Sequence, residues 1–252
     1  MTQWEHRGGQ NNKQFTENMK KYQIILADPP WSYLWGKGKD GGNFAPEKHY
    51  ETMPTEELCN LNVKQLRDRN CVLATWATMP CLPDALRVME AWGFKYKTCA
   101  FTWVKTKKDG QPLMGPGSYT RANCELVLLG TKGHIKAINK SVPQVLMHPR
   151  LGHSVKPPVI RDRIVQLFGD LPRIELFARQ KVEGWDAIGY GIDGISIQEK
   201  LHLMQYGPEL AGVCPLVIEK IREHCRKKEF TIEQLSKAYG LTLVQVRIII
   251  GL

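Results

Sequence analysis

Asp28-Pro29-Pro30-Trp31 places a carboxylate, a stiff turn and a flat indole within four residues, directly after the apolar run Tyr22 to Ala27. The side chain of Asp28 accepts hydrogen bonds. Pro29 offers a carbonyl and no N–H, and the two prolines fix φ, so the turn is rigid. Two acceptors held side by side suit a donor group with two hydrogens, such as an exocyclic amine. Trp31 adds an apolar plane on which a base could stack, and Tyr33 and Trp35 follow it. Stacking of a base on an aromatic side chain contributes roughly 1–3 kcal/mol. The plainer alternative is a strand-ending turn with a buried tryptophan.

A second kind of candidate is electrostatic. The chain carries 35 Lys and Arg against 25 Asp and Glu, a net charge of +10. Between positions 105 and 140 lie seven basic residues (105, 107, 108, 121, 132, 136 and 140) and two acids (109 and 125). Such a stretch suits phosphate, with binding that weakens as salt rises; a solvated basic surface is the alternative. Arg121, Glu125 and Arg150 are candidate substrate contacts, with His148 beside Arg150.

The elements that must position these groups alternate. Tyr22 to Ala27, Cys71 to Trp76, Phe101 to Val104, Glu125 to Gly130 and Arg173 to Ala178 are apolar runs of strand length. Pro54 to Leu58 opens a helix with acids in its first turn, Leu82 to Trp92 has helical spacing, and Val159 to Phe168 is a helix started by Pro157 and Pro158 and stopped by Gly169. Residues 36–46 and 105–117 are Gly- and Pro-rich loops, and 131–149 reads as irregular. Strands alternating with helices predict an α/β layered domain with a largely parallel sheet. In such sheets ligands sit at the carboxyl ends of strands, where Asp28 stands. Residues 1–20 form a polar lead-in, 21–195 the α/β domain, and 196–252 a helical extension.

Several further segments occur in a fixed order: Tyr50-Glu-Thr-Met53, Trp103-Val-Lys-Thr106, Glu125 to Gly130, His153-Ser-Val-Lys-Pro157, Ile174 to Arg179 and Gly184-Trp185 to Gly189. Together with Asp28 to Trp31 this set resembles the N6-adenine methyltransferase family founded by the 70-kDa subunit of the mRNA adenosine methyltransferase, over residues 22 to about 194. The resemblance implies a doubly wound, Rossmann-like methyltransferase sheet in circularly permuted order, because the catalytic strand precedes the cofactor strand. It implies S-adenosyl-L-methionine as cofactor and an in-line methyl transfer to adenine N6, with the target base flipped out of its stack. Asp28, Pro29, Pro30 and Trp31 are the implied catalytic group. The cofactor-binding set is Asp28, Lys156 (to the carboxylate), Glu175, Leu176, Phe177, Arg179 (to the ribose), Gln180 and Tyr190. Trp31, Tyr33 and Tyr50 face the target, and residues 36–46 serve as a lid. The sequence departs from the family at Gln180-Lys181, where His and Asn are frequent, and at Tyr190-Gly191, where one branch has Asn-Gln.

DNA is the favoured substrate, for want of a zinc-finger module for RNA and because of the tail. In residues 230–252, Thr231 can cap a helix, and Leu235, Ala238, Gly240 and Val246 fall where helix-turn-helix units place core residues and the turn glycine. The second helix would expose Thr242, Gln245 and Arg247. Such a tail could read DNA, or pack on the catalytic domain or another subunit. An RNA methyltransferase, a non-catalytic nucleic-acid-binding subunit and a cytosine-N4 enzyme are the other readings, and the intact Asp28 motif argues against the second. The resemblance allows a homodimer or a hetero-partner.

Composition excludes other classes. With 42% hydrophobic residues the chain can build a core, so wholesale disorder is excluded. Seven cysteines without a Cys-x-x-Cys pair suggest reduced thiols in the cytoplasm or nucleus, and no metal. No apolar run is long enough to span a membrane, and the polar start does not read as a signal peptide. The absence of Gly-x-Gly-x-x-Gly and of a Walker loop argues against dehydrogenases and P-loop enzymes.

Overall fold

The computed structural model describes residues 20–32, 52–115, 119–152 and 154–252. Tyr33, Trp35, the 36–46 loop, Tyr50, His153 and nearly all of the lead-in lie outside the described residues.

The chain forms two compact units, Lys21–Gly194 and, among the described residues of the other, Lys20 with Ile195–Leu252. In the first, the elements run β1 (Tyr22–Ala27), α1 (Thr55–Asn60), β2 (Arg67–Ala77), α2 (Leu82–Ala91), β3 (Lys95–Thr106), β4 (Cys124–Lys132), β5 (Val145–Pro149), α3 (Val159–Phe168), β6 (Arg173–Leu176), β7 (Asp186–Ile188) and the single turn α4 (Tyr190–Asp193). The strands form one sheet in the order β5-β3-β4-β2-β1-β6-β7.

The sheet is mixed, which qualifies the expectation of a largely parallel one. β1 runs parallel to β2 and β6, β6 to β7 and β3 to β5, while β4 is antiparallel to both β2 and β3. The reversal follows from the β3–β4 connection, whose described residues hold no crossover helix; antiparallel neighbours need none.

Alternation along the strands sends side chains to both faces. Ile24 and Leu26 of β1, Val72, Ala74 and Trp76 of β2, and Phe101 and Trp103 of β3 share a core with Ile160, Ile164 and Phe168 of α3. On the opposite parity, Gly130 of β4 lies under α2 so closely that an added Cβ would stand 2.6 Å from the sulfur of Met89. The indole N–H of Trp92, just past α2, donates to the Leu58 carbonyl at 2.7 Å and ties α1 to that layer. Helices thus cover both faces, with Leu58, Trp92 and Met89 buried.

Two strands escaped the sequence reading. Val145–Pro149 lies within the stretch expected to be irregular, and Asp186–Ile188 spans only three residues. Both sit at sheet edges. β5 shows just one buried residue, Leu146, between exposed Val145 and Met147 and ends in a proline, which an edge strand tolerates. The expected Arg173–Ala178 strand stops earlier, at Leu176, because Phe177 adopts φ +60°.

The second unit is helical: α5 (Ile197–Tyr206), α6 (Pro215–Lys227), α7 (Ile232–Tyr239) and α8 (Leu243–Ile250). It has its own core of Leu210, Val213, Ile218, Ile221, Leu235, Val246 and Ile249. Thr231 and Thr242 each begin a helix with a capping box, and Gly240 ends α7 at φ +64°. The expected exposure of Gln245 is corrected. Its carbonyl oxygen accepts the Thr242 N–H at 3.0 Å and its amide donates to the Glu209 carbonyl at 3.2 Å. Leu243 and Val244 are the exposed apolar residues at the start of α8.

Candidate active site

β1 is buried along almost its whole length and ends at Ala27, just before Asp28 and the two prolines. Its direction continues into a tight turn. The Trp31 N–H donates to the Pro29 carbonyl at 2.9 Å, and the Met53 N–H donates to the Pro30 carbonyl at 2.8 Å. The Pro29 carbonyl therefore keeps one lone pair. Trp31 itself is only 5% exposed, with its indole N–H donating to the Trp76 carbonyl at 3.0 Å. The packed indole braces the turn against β2.

Four charged side chains meet here, Asp28 among them. The ammonium of Lys156, in the segment before α3, lies 2.8 Å from Asp28 Oδ1 and 3.0 Å from Oδ2. It also lies 3.4 Å from Oε2 of Glu125, the second residue of β4. The other oxygen of Glu125 is 2.5 Å from the ammonium of Lys105, near the end of β3. The order in space is Lys105, Glu125, Lys156, Asp28, alternating in sign. Lys156, Asp28 and Glu125 are 17%, 18% and 12% exposed, so water screens them little. Lys156 also sits 5.5 Å from the centre of the Trp76 ring, and Lys105 5.2 Å from that of Trp103.

The shifts follow from this packing. Burial alone would raise the Glu125 carboxyl, but the Lys156 and Lys105 ammonium groups outweigh it and hold the group below the usual carboxylate range. Burial would lower Lys156, but Asp28 and Glu125 outweigh it and hold that ammonium above its ordinary value.

Sheet order explains why residues so far apart in sequence meet. Asp28 directly follows β1, Trp76 lies near the end of β2, Lys105 near the end of β3, and Glu125 near the start of antiparallel β4, so all four stand at one end of the sheet. β1 and β6 are parallel neighbours whose continuations leave in opposite directions, toward β2 and toward β7. That is a topological switch point, where doubly wound sheets open a crevice. The Asp28 N–H donates to the Leu176 carbonyl across this switch at 3.4 Å.

The far lip of the crevice is the end of β6. Phe177 is left-handed there, and the Ala178 N–H donates to the Ile188 carbonyl at 3.0 Å. A Cβ on Gly189 would stand 2.2 Å from the Ala178 carbonyl oxygen, and one on Gly191 2.8 Å from that of Arg179. Backbone passes over backbone here, and only glycine fits. Leu176 is buried, Phe177 half-buried, and Arg179, Gln180 and Tyr190 are exposed around the lip. Glu175, one residue before the end of β6, pairs with Arg161: both oxygens accept from that guanidinium, at 2.7 and 2.9 Å, in a buried pair. Arg121 and Arg150 are exposed on the loops.

The structure thus brings Asp28, Glu125 and Lys156 together, and Phe177 follows β6, the parallel neighbour of β1. Sequence reading missed Lys105, counted only among the loop cations, along with Trp76 and Arg161. The conspicuous signal for Lys105 was its place in Trp103-Val-Lys-Thr106. Among the described residues, no cluster of metal-ligating side chains occurs and no helix is long and apolar enough to cross a membrane.

A mixed sheet with a charge cluster at its switch point is compatible with a Rossmann-like methyltransferase domain. Residues 22–191 match the MT-A70 family, and the chain belongs to it. The type II methyltransferase M.MunI of a Mycoplasma species is 35% identical over 195 residues, spanning 71% of this chain and 81% of that relative. The N6-methyladenosine RNA methyltransferase MTA1 of Pyricularia oryzae is 25% identical over 198 residues, spanning 73% of this chain and 50% of its own length.

Proposed function

We propose that the protein transfers a methyl group from S-adenosyl-L-methionine to the N6 amine of adenine in DNA, through residues 21–195. The observation that carries this reading is the Asp28 carboxylate at the end of β1, held through both oxygens by Lys156 beside the β1–β6 switch point. The 35% identity to a type II methyltransferase, a class that acts on DNA, favours DNA over RNA.

The residues suit the proposed cofactor. A zwitterionic amino-acid end needs both signs of charge, and the site offers the Lys156 ammonium beside the Asp28 and Glu125 carboxylates. A nucleoside end needs a close backbone approach, and the glycine-lined strand end at 177–179 provides one. Lys156 would hold the carboxylate, and Phe177, Arg179, Gln180 and Tyr190 the nucleoside. Bound S-adenosylmethionine supplies an electrophilic methyl group on its sulfonium.

The chain's own task is to prepare the amine. Adenine N6 is a weak nucleophile because its lone pair is delocalised into the ring. Asp28 and the free lone pair of the Pro29 carbonyl accept its two N–H groups, which favours a pyramidal nitrogen with its lone pair directed out of the ring plane. The proline-fixed turn and the buried Trp31 keep these acceptors from reorganising, so the gain comes from positioning and preorganised electrostatics. Arg121 and Arg150 meet phosphate at the rim.

The order of the strands, with β1 and Asp28 well before β6 (Arg173–Leu176), supports a circularly permuted methyltransferase sheet. Residues 196–252 are proposed as a separate helical module of helix-turn-helix type, with DNA or a partner subunit as its contact. Seven free cysteines suit a reducing cytoplasmic or nuclear setting. The test is incubation with methyl-labelled cofactor and separate DNA and RNA, followed by nucleoside analysis. Label in N6-methyladenine of DNA is the expected result; label in RNA alone, or in N4-methylcytosine, overturns the substrate assignment.

A further inference from the structure

The proposed transfer leaves Lys105 without a task. This residue lies within the basic stretch expected to meet phosphate, yet its side chain is 24% exposed and its ammonium pairs with Glu125 at 2.5 Å. Its backbone is fixed on both sides: its N–H donates to the Asn123 carbonyl at 2.7 Å, and its carbonyl accepts the Leu113 N–H at 2.8 Å. Its ammonium stands over the buried Trp103 ring. This is a rigid mount, unlike the exposed Lys107 and Lys108 that follow.

The distances set an order of strength. Glu125 lies closer to Lys105 (2.5 Å) than to Lys156 (3.4 Å), and Lys156 lies closer to Asp28 (2.8 and 3.0 Å) than to Glu125. Glu125 is shared between two cations, and the nearer one is not part of the Asp28 pair. We propose that Lys105 is a positioning residue for methyl transfer: by occupying Oε1 of Glu125 it holds that carboxylate off Lys156, and so keeps Lys156 on both oxygens of Asp28. It touches no substrate and acts through Glu125.

The groups around Glu125 are Lys105 from β3, Lys156 from the segment before α3, and Asp28 from β1 through Lys156. His148 of β5 stands opposite Lys105 in register, with its Nδ1 2.8 Å from the Pro149 carbonyl. Without Lys105, Lys156 is the cation that stays paired with Glu125 among the described residues. Lys156 is then drawn toward Glu125 and away from Asp28. Glu125 also loses one of the two charges that hold its carboxyl low, so it takes up a proton at higher pH.

The proposal rests on the methyltransferase reading, so wild-type transfer to DNA is measured in the same assay; no transfer by the wild type defeats that reading and leaves no rate for Lys105 to govern. Lys105→Met keeps the stem over Trp103 and removes the charge, and Lys105→Gln is made beside it in case the first fails to fold. The expected result is a fall in kcat of between about ten- and a hundredfold, an acid limb of kcat moved to higher pH, an unchanged salt dependence of DNA binding, and recovery with Lys105→Arg. In a Glu125→Gln background the same change should have no further effect, because the group it acts through is gone. A kcat and pH profile like the wild type's, losses that multiply independently with Glu125→Gln, or a change confined to DNA affinity and its salt slope each overturn the proposal.

Discussion

Replacing Asp28 by asparagine isolates the charge from the shape. The side chain keeps its size, so no cavity opens, and the change falls on two contacts: Lys156 at 2.8 and 3.0 Å. A hydrogen bond to a charged group contributes about 1.5–3 kcal/mol net. The ammonium retains Glu125 at 3.4 Å, so it is not stranded, and the heavier cost of an unpaired buried charge is avoided. A loss of about 2 kcal/mol corresponds to a fall in Tm of roughly 4–8 °C for a domain of this size. The effect on rate is larger. One of the two acceptors aimed at the amine becomes a half-donor, and removing a single preorganised group typically costs about a hundred- to a thousandfold in kcat. Cofactor affinity should stay within about tenfold, or roughly 1.4 kcal/mol, because Lys156 and the 177–179 strand end remain. The assay is methyl transfer to adenine-containing duplex DNA, with cofactor titrated calorimetrically and Tm followed alongside. Near-normal turnover by the folded variant would refute the role of Asp28 as amine acceptor. A drop in cofactor affinity far beyond tenfold would relocate that role to the cofactor.

Other outcomes follow from the same geometry. Glu125 is held below its ordinary range, so the stability it contributes is present above about pH 4.3 and is lost as pH falls through its depressed value; Lys156 is held above its range, so its contribution is full below about pH 10.4 and is lost as pH rises past its raised value. Glu125→Gln should therefore flatten the acid-side decline of unfolding free energy measured by denaturant titration at a series of pH values, and an unchanged decline would contradict the assignment. Gly189→Ala puts a methyl group 2.2 Å from the Ala178 carbonyl oxygen; a destabilisation above about 1–3 kcal/mol and weakened cofactor binding are expected, and a neutral variant would show that the strand end yields. Arg121→Ala with Arg150→Ala should weaken DNA binding and reduce the slope of log affinity against log salt by about 0.9 for each phosphate no longer neutralised, whereas an unchanged slope removes those residues from the interface.

What the sequence revealed divides along a physical line. Elements fixed by local chemistry were legible: the apolar run of β1 closed by two prolines, and α3 opened by Pro157-Pro158 and closed by Gly169. Asp28 was legible because its rigidity comes from its neighbours in sequence. Features set by pairing across the sheet were not. Lys105 and Glu125 meet because β3 and β4 are antiparallel, so that Trp103 faces Glu125 in register. Edge strands β5 and β7 are too short for a period of two to stand out. The burial of Trp31 depends on Trp76, 45 residues away in sequence. The Arg161–Glu175 pair crosses from helix to strand, where a strand-end carboxylate and a helical arginine carry no mark of their partnership. In the second unit, the sequence located the Thr231 cap and the turn glycine, but it did not reveal that Thr242 caps the next helix and engages Gln245.

The alternating quartet also resolves a conflict built into the site. An acceptor for an amine must be desolvated to act strongly, yet a desolvated carboxylate is costly unless paired. A single lysine on Asp28 would answer the cost, but a neighbouring acid at Glu125 would compete for it. Adding Lys105 gives each acid a cation of its own, and the separations of 2.5, 3.4 and 2.8 Å leave the central Glu125–Lys156 link the longest. A carboxylate has more lone-pair sites than Lys156 can fill, so Asp28 is neutralised without being used up. A balanced, half-buried quartet can therefore admit a charged ligand by exchanging its weakest link, that between Lys156 and Glu125, while the grip on Asp28 is kept.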